Sequence, residues 1–195
     1  MRFRRVRASR GFTLLEITPA TGRSHQIRVE FSGATPYSIP RIAQLTQKTN
    51  QWNMTTRRYT DVQVQSFATD ASRAVLSVAS RDRFGNDGIV GVCILEFRGV
   101  ECVIDTFLLS CRVIGRGIEQ SMLASAAGLA RERGATSLAA EFLPTKKNKP
   151  AEGFYERSGF TRVDDTWYRA GLGHGAFPFP SHIRLATPDR QEATS

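Results

Sequence analysis

The sequence has 195 residues, 41% hydrophobic and 23% charged, with a formal net charge of +9. These proportions suit one folded domain with extensions. No apolar run nears the roughly 20 residues that cross a bilayer, and no apolar signal core follows the basic start Met1-Arg2-Phe3-Arg4-Arg5, so no membrane role is expected and a cytoplasmic protein is.

Much of the positive charge precedes Phe31, where Arg2, Arg4, Arg5, Arg7, Arg10, Arg23 and Arg28 face only Glu16 and Glu30. Residues 12–17 and 26–31 alternate as strands around the turn residues Pro19 and Gly22, which predicts a basic β-hairpin. Leu14-Leu15-Glu16-Ile17 and Thr21-Gly22-Arg23-Ser24-His25-Gln26-Ile27-Arg28-Val29 resemble a segment of RluA-type pseudouridine synthases. The aspartate nucleophile of that family has no counterpart here, so a fragment without catalysis is expected. A solvated basic hairpin is favoured over an RNA contact.

Pro40 suits the first turn of a short helix over residues 39–50. Residues 54–59 read as a strand, and Asp61 as the cap of a second short helix. Residues 74–82 and 89–97 read as antiparallel strands around a turn holding Gly85 and Gly88. Residues 101–110 are apolar on both faces, as a central strand is. A helix follows Gly117, with Ile118, Met122, Leu123, Ala126, Leu129 and Ala130 on one stripe and Gly134 at its end. Residues 137–143 then form a strand parallel to the one before the helix, reached by a right-handed crossover. Pro150 opens a helix carrying Phe154 and Tyr155, and residues 161–163 and 167–169 close the sheet as an antiparallel pair. Residues 189–195 read as a frayed tail.

The turn Arg112-Val113-Ile114-Gly115-Arg116-Gly117 is where chemistry concentrates. A strand, a glycine turn and a helix N-terminus present unpaired N–H groups to a phosphate. Arg112 and Arg116 add positive charge or are solvated rim charges. Taken alone, the turn also fits an ordinary strand-to-helix connection. Downstream, Asn148, Ala151, Phe154, Tyr155, Gly159 and Phe160 are spaced N-x-x-A-x-x-F-Y-x-x-x-G-F. Together, across residues 54–170, these features resemble the acyl-CoA-binding motifs of the GNAT N-acyltransferases.

That resemblance implies an α+β fold: a mixed, mostly antiparallel sheet with helices on both faces and one parallel pair at the acyl-CoA turn. It implies that this pair splays and that the pantetheine of acetyl-CoA, or of another thioester, pairs with backbone between the strands. Leu109, Arg112, Val113, Gly115, Arg116, Gly117, Asn148 and Phe154 would then hold the donor. Tyr155 would protonate the leaving thiolate. Phe154 and Tyr155 also fit a plain core aromatic pair. As a base for the acceptor, Asp105 comes first, with Glu101 and Glu141 as alternatives. Cys111 beside the turn could take an acyl group as a thioester, or be a buried structural cysteine like Cys93 and Cys102. The three cysteines have no C-x-x-C spacing, and no metal is expected.

Residues 40–53 (Pro-Arg-Ile-Ala-Gln-Leu-Thr-Gln-Lys-Thr-Asn-Gln-Trp-Asn), Thr56-Arg57-Arg58-Tyr59, Asp82-Arg83-Phe84-Gly85, Ile104-Asp105-Thr106-Phe107-Leu108, Ser110-Cys111-Arg112-Val113-Ile114-Gly115-Arg116 and Pro144-Thr145-Lys146-Lys147-Asn148 are similar to the C-terminal half of FkbH-like (HAD-superfamily IIIC) proteins. The resemblance spans residues 38–185. It implies polyketide-type biosynthesis, with glyceryl or other acyl transfer onto an acyl carrier protein and a HAD-type domain as partner. The D-x-D-x-T start of a HAD domain is absent from this sequence, so phosphatase chemistry is not expected of it. A non-catalytic carrier-docking module is the alternative, with Lys146, Lys147, Lys149, Arg112 and Arg116 as a basic rim. The expected layout is an extension over 1–37, the GNAT-like domain over 38–185 and a tail over 186–195.

Overall fold

A computed structural model describes residues 2–9, 12–18, 27–82 and 85–186. The apolar runs build one eight-stranded sheet from β3 (Ile27–Gly33), β4 (Arg73–Asp82), β5 (Gly85–Arg98), β6 (Glu101–Leu109), β7 (Ser137–Glu141), β8 (Thr161–Arg162), β9 (Trp167–Gly171) and β10 (Ile183–Leu185). Their order is β10-β3-β4-β5-β6-β7-β9-β8. The pairs β10/β3 and β6/β7 are parallel and the others antiparallel.

Because side chains alternate across a strand, the sheet has two apolar faces. Val75, Val92, Ile94 and Leu108 meet Ile42 and Leu45 of α1 (Ile39–Lys48) and Val64 of α2 (Asp61–Thr69). Cys93, Leu95, Phe107 and Leu109 meet Met122, Leu123 and Ala126 of α3 (Ile118–Glu132) on the opposite face. Gly91 lets α3 close down on the sheet, since a Cβ there would lie 2.6 Å from the Met122 sulfur. The expected α+β architecture, helices on both faces included, is what the chain adopts.

Several local expectations need correction. An N-terminal antiparallel hairpin exists, but its strands are β1 (Arg2–Ser9) and β2 (Phe12–Thr18). The predicted turn over 19–22 lies outside the described residues. Ile27–Gly33 hydrogen-bonds to β4 instead of serving as the hairpin's second strand, because Val29 is fully buried in the main core. The sheet therefore takes in residues that the sequence places in the extension.

Residues 54–59 are not a strand. Thr56 has a left-handed backbone (φ 54°), which ends any extended run, and its N–H is held by Asn53 Oδ1 at 2.9 Å. Arg58 donates to the last carbonyls of α1, those of Thr46 and Gln47, and fastens the loop to that helix end. The cap of α2 is Thr60 rather than Asp61, in a reciprocal capping box with Gln63. The helix expected from Pro150 is broken into a 3₁₀ turn (Lys149–Ala151) and α4 (Phe154–Arg157), because Gly153 between them sits at φ 71°.

Candidate functional site

β6 and β7 pair over four positions, from Glu101↔Ser137 to Ile104↔Ala140. β7 then stops while β6 runs on to Leu109. The β5–β6 register slips where they part: Leu95 opposes Ile104 and Ile94 opposes Thr106, so Asp105 is the extra residue of a bulge. Past the bulge, β6 continues its pairing to β5 on one side. On the other, Phe107 C=O and Leu109 N–H face the opening between the parallel strands.

Both groups are engaged. Residues 52–54 run antiparallel beside β6, with Asn53 opposite Leu108. Met54 N–H donates to Phe107 C=O at 3.1 Å, and Leu109 N–H donates to Trp52 C=O at 2.8 Å. On the far side Leu143 N–H donates to Met54 C=O at 2.8 Å. The short segment thus bridges the two diverging arms. Trp52, Asn53 and Met54 are all buried.

Asn148 secures this arrangement. It is fully buried, and its amide group donates to Asn53 C=O and to Leu143 C=O, each at 2.9 Å. Its carbonyl oxygen accepts from Thr145 N–H at 2.7 Å and from the Thr145 hydroxyl at 3.0 Å. Phe154 is buried between Trp52 and Phe107, with ring centroids at 5.4 and 5.6 Å. Tyr155 lies behind it among Phe160 and Tyr168, at 5.1 and 5.6 Å. The Tyr155 hydroxyl is buried with no hydrogen-bond partner among the described residues. Burial, with Cys93 and Glu141 adding to it, pushes its phenol well above the usual tyrosine range.

At the end of β6, a 3₁₀ turn (Cys111–Val113) leads into the glycine turn and α3. Gly117 is the N-cap, at φ 85°, and a Cβ there would lie 2.5 Å from His182 Nε2. That nitrogen is 3.0 Å from Arg116 C=O. Arg116 is drawn aside by ion pairs to Asp82 and, at 3.8 Å, to Asp87. Arg112 is exposed and reaches Asp87 C=O at 3.4 Å, while Val113 is fully buried. The first turn of α3 holds a buried carboxylate, Glu119, 4% exposed, whose Oε2 has no partner among the described residues. Burial pushes this carboxyl above its ordinary range, opposed by the backbone N–H groups of Glu119, Gly115 and Gly117. Those N–H groups lie at the turn and helix start that, by sequence, are expected to face a phosphate.

The mouth of the opening is polar. Arg57 donates to Asp105 C=O at 2.6 Å and to Glu141 Oε2 at 2.7 Å, and lies 3.5 Å from the Asp105 carboxylate. Asp105 Oδ2 accepts from the hydroxyls of Tyr59 at 2.7 Å and Thr106 at 2.9 Å. Burial first, then Asp105, pushes the Tyr59 phenol up to about 12. Asp105 and Glu141 are thus brought together by one guanidinium, whereas Glu101 sits at the other end of β6, paired with Arg169 at 2.9 Å. Cys111 is exposed; Cys93 and Cys102 are buried. Burial pushes the Cys102 thiol up to about 12 and that of Cys93 well above the usual range.

Sequence reasoning gave no chemical role to Arg57, Tyr59, Glu119 or His182. The usable signal for the first two is two adjacent arginines and a tyrosine in a would-be strand, where a half-buried strand has no room for consecutive charges.

A family model described as "Acetyltransferase (GNAT) family" matches residues 39–160, more than half of the chain. No curated protein matches the chain. Among solved structures, the ribosomal-protein-S18-alanine N-acetyltransferase from Escherichia coli is 13% identical, with 75% of this chain and 97% of that one covered and a TM-score of 0.58. An acetyltransferase from Thermus thermophilus is 20% identical, covering 76% and 99%, with a TM-score of 0.57. Ard1 from Thermoplasma volcanium is 16% identical, covering 73% and 97%, with a TM-score of 0.56. At these identities the structural likeness carries the fold, and the match over residues 39–160 carries the family. The chain belongs to the GNAT acetyltransferase family.

Proposed function

We propose that this chain is the GNAT-type domain of an FkbH-like protein and acts on a pantetheine thioester borne by an acyl carrier protein, transferring its acyl group in polyketide-type biosynthesis. The observation that carries this reading is the parting of β6 from β7 at the Asp105 bulge, directly before the glycine turn and the 15-residue helix α3. An extended arm fits between parting strands, and an anion fits the helix start. Lys146, Lys147 and Lys149 are exposed on the loop that follows β7, and Arg112 is exposed on the turn that follows β6. Such a rim suits the acidic surface of a carrier protein better than it suits a small free donor. Arg116 is withdrawn from that rim by Asp82 and Asp87. Asp105 is the base for the acceptor in this reading, and Arg57 sets its position. Calorimetric titration with acylated carrier protein, followed by mass measurement of the carrier after a nucleophilic acceptor is added, tests the reading: binding is expected, with the acyl group passing to the acceptor and the carrier left as its free thiol, and neither binding nor turnover refutes it.

The second reading, a non-catalytic docking module for a separate HAD-type domain, is favoured by Tyr155. Its hydroxyl is enclosed by aromatic rings and has no partner among the described residues. Carrier binding without turnover, unchanged in a Tyr155→Phe, Cys111→Ala variant, would establish this second reading.

A further inference from the structure

We infer that the chain fills its own acyl-donor cleft: residues 52–54 and a pantetheine arm compete for the same edge of β6, and one binds only when the other leaves.

An arm lying between parting strands binds by pairing its amides with a strand edge. Past the Asp105 bulge, Phe107 C=O and Leu109 N–H are two of the edge groups of β6 on the side of the opening. Met54 N–H and Trp52 C=O already satisfy them, in the antiparallel manner of an added strand. The segment also reaches across the opening, through Leu143 N–H to Met54 C=O. Asn148 joins Asn53 C=O to Leu143 C=O, so it fastens the occupant to the arm that β7 leaves behind. Residues 52–54 and Asn148 are buried to 95% or more, so the segment is packed into the opening and not laid over it.

Two neighbouring features extend the same pattern. The loop that carries the segment brings Arg57 between Asp105 and Glu141, so a guanidinium rests where two carboxylates could hold a cationic acceptor. At the other end, the Glu119 carboxylate is buried against backbone N–H groups of the glycine turn, in the place of an anion. Arm, cation and anion thus each have an internal counterpart. The loop is also held by a left-handed, β-branched residue, Thr56 at φ 54°, a conformation that persists only where surrounding contacts impose it.

The competition presumes the thioester reading proposed above, and the test separates the two. Amide hydrogen exchange at Met54, Leu109 and Leu143 is followed in the whole chain, with and without about 1 mM coenzyme A, alongside calorimetry. These amides exchange slowly without coenzyme. With it, binding comes with exchange at least about tenfold faster at Met54 and Leu109; no binding in either the wild type or the variant below counts against the opening as a donor site. Coenzyme binding with all three amides fully protected overturns it. Asn148→Ala removes the fastening, so exchange at Met54 quickens and coenzyme affinity rises about tenfold or more. Unchanged Met54 exchange in that variant also overturns the proposal. Quickened exchange with no binding of coenzyme or of acylated carrier sinks the thioester reading instead. If Asn148→Ala does not fold, the wild-type comparison decides alone.

Discussion

Tyr155→Phe separates chemistry from packing at the residue best placed by spacing to act as an acid. The substitution removes one hydroxyl and nothing else. That hydroxyl is buried, has no partner among the described residues, and sits among the rings of Phe154, Phe160 and Tyr168. Burying a hydroxyl without a hydrogen bond costs about 1–3 kcal/mol. Removing it while leaving the ring stack intact is therefore expected to stabilise the protein by about 1–2 kcal/mol. For a chain of this length that raises Tm by about 2–8 °C. Urea unfolding near neutral pH measures the first figure and calorimetry the second. Burial holds the phenol neutral far above neutral pH, so the gain should not vary across that range. Carrier turnover, where present, should stay within about threefold of wild type, since a lost general acid would cost about a hundredfold or more. A loss of stability beyond about 1 kcal/mol would mean that the hydroxyl has a partner, and a hundredfold loss of turnover would put it in the chemistry.

Asn148→Ala should cost about 2–4 kcal/mol in urea unfolding, because it leaves Asn53 C=O, Leu143 C=O and Thr145 N–H without their partner; a cost below about 0.5 kcal/mol would refute the fastening role. Glu119 gives a pH test. Its carboxyl is raised by burial, so its contribution to stability is fully present below the unfolded carboxyl range and is lost as pH rises through the folded value. Wild type should therefore lose stability relative to Glu119→Gln as pH rises above the ordinary glutamate range of about 4, and parallel urea midpoints would contradict the burial.

The sheet and the long helix were legible because their signals are local. β4, β5 and β6 carry apolar runs bounded by turns, and α3 carries a stripe at helical spacing. β10 was not legible: it is a short run, Ile183–Leu185, and its partner β3 lies near the other end of the chain. Residues 54–59 misled because an alternating pattern cannot register the left-handed Thr56. The glycine turn was legible at the site, since positive φ at Gly115 and Gly117 needs glycine. Its occupants were not, because the pairs that define them, Asn53 with Leu108, Arg57 with Glu141 and Asn148 with Asn53, join residues far apart in the chain. Asn148 shows the difference: its spacing brings it beside the opening between β6 and β7, but all its hydrogen-bonding groups face the protein's own backbone and Thr145.

The central claim, that β6 holds either residues 52–54 or a pantetheine arm, is tested most directly by a crystal structure grown with excess acetyl-CoA. The account predicts that Met54 N–H and Trp52 C=O stay on Phe107 and Leu109 with no arm between the strands, or that an arm takes those two groups and the segment is displaced. An arm seated between β6 and Leu143, with residues 52–54 unmoved on the same edge, would contradict it.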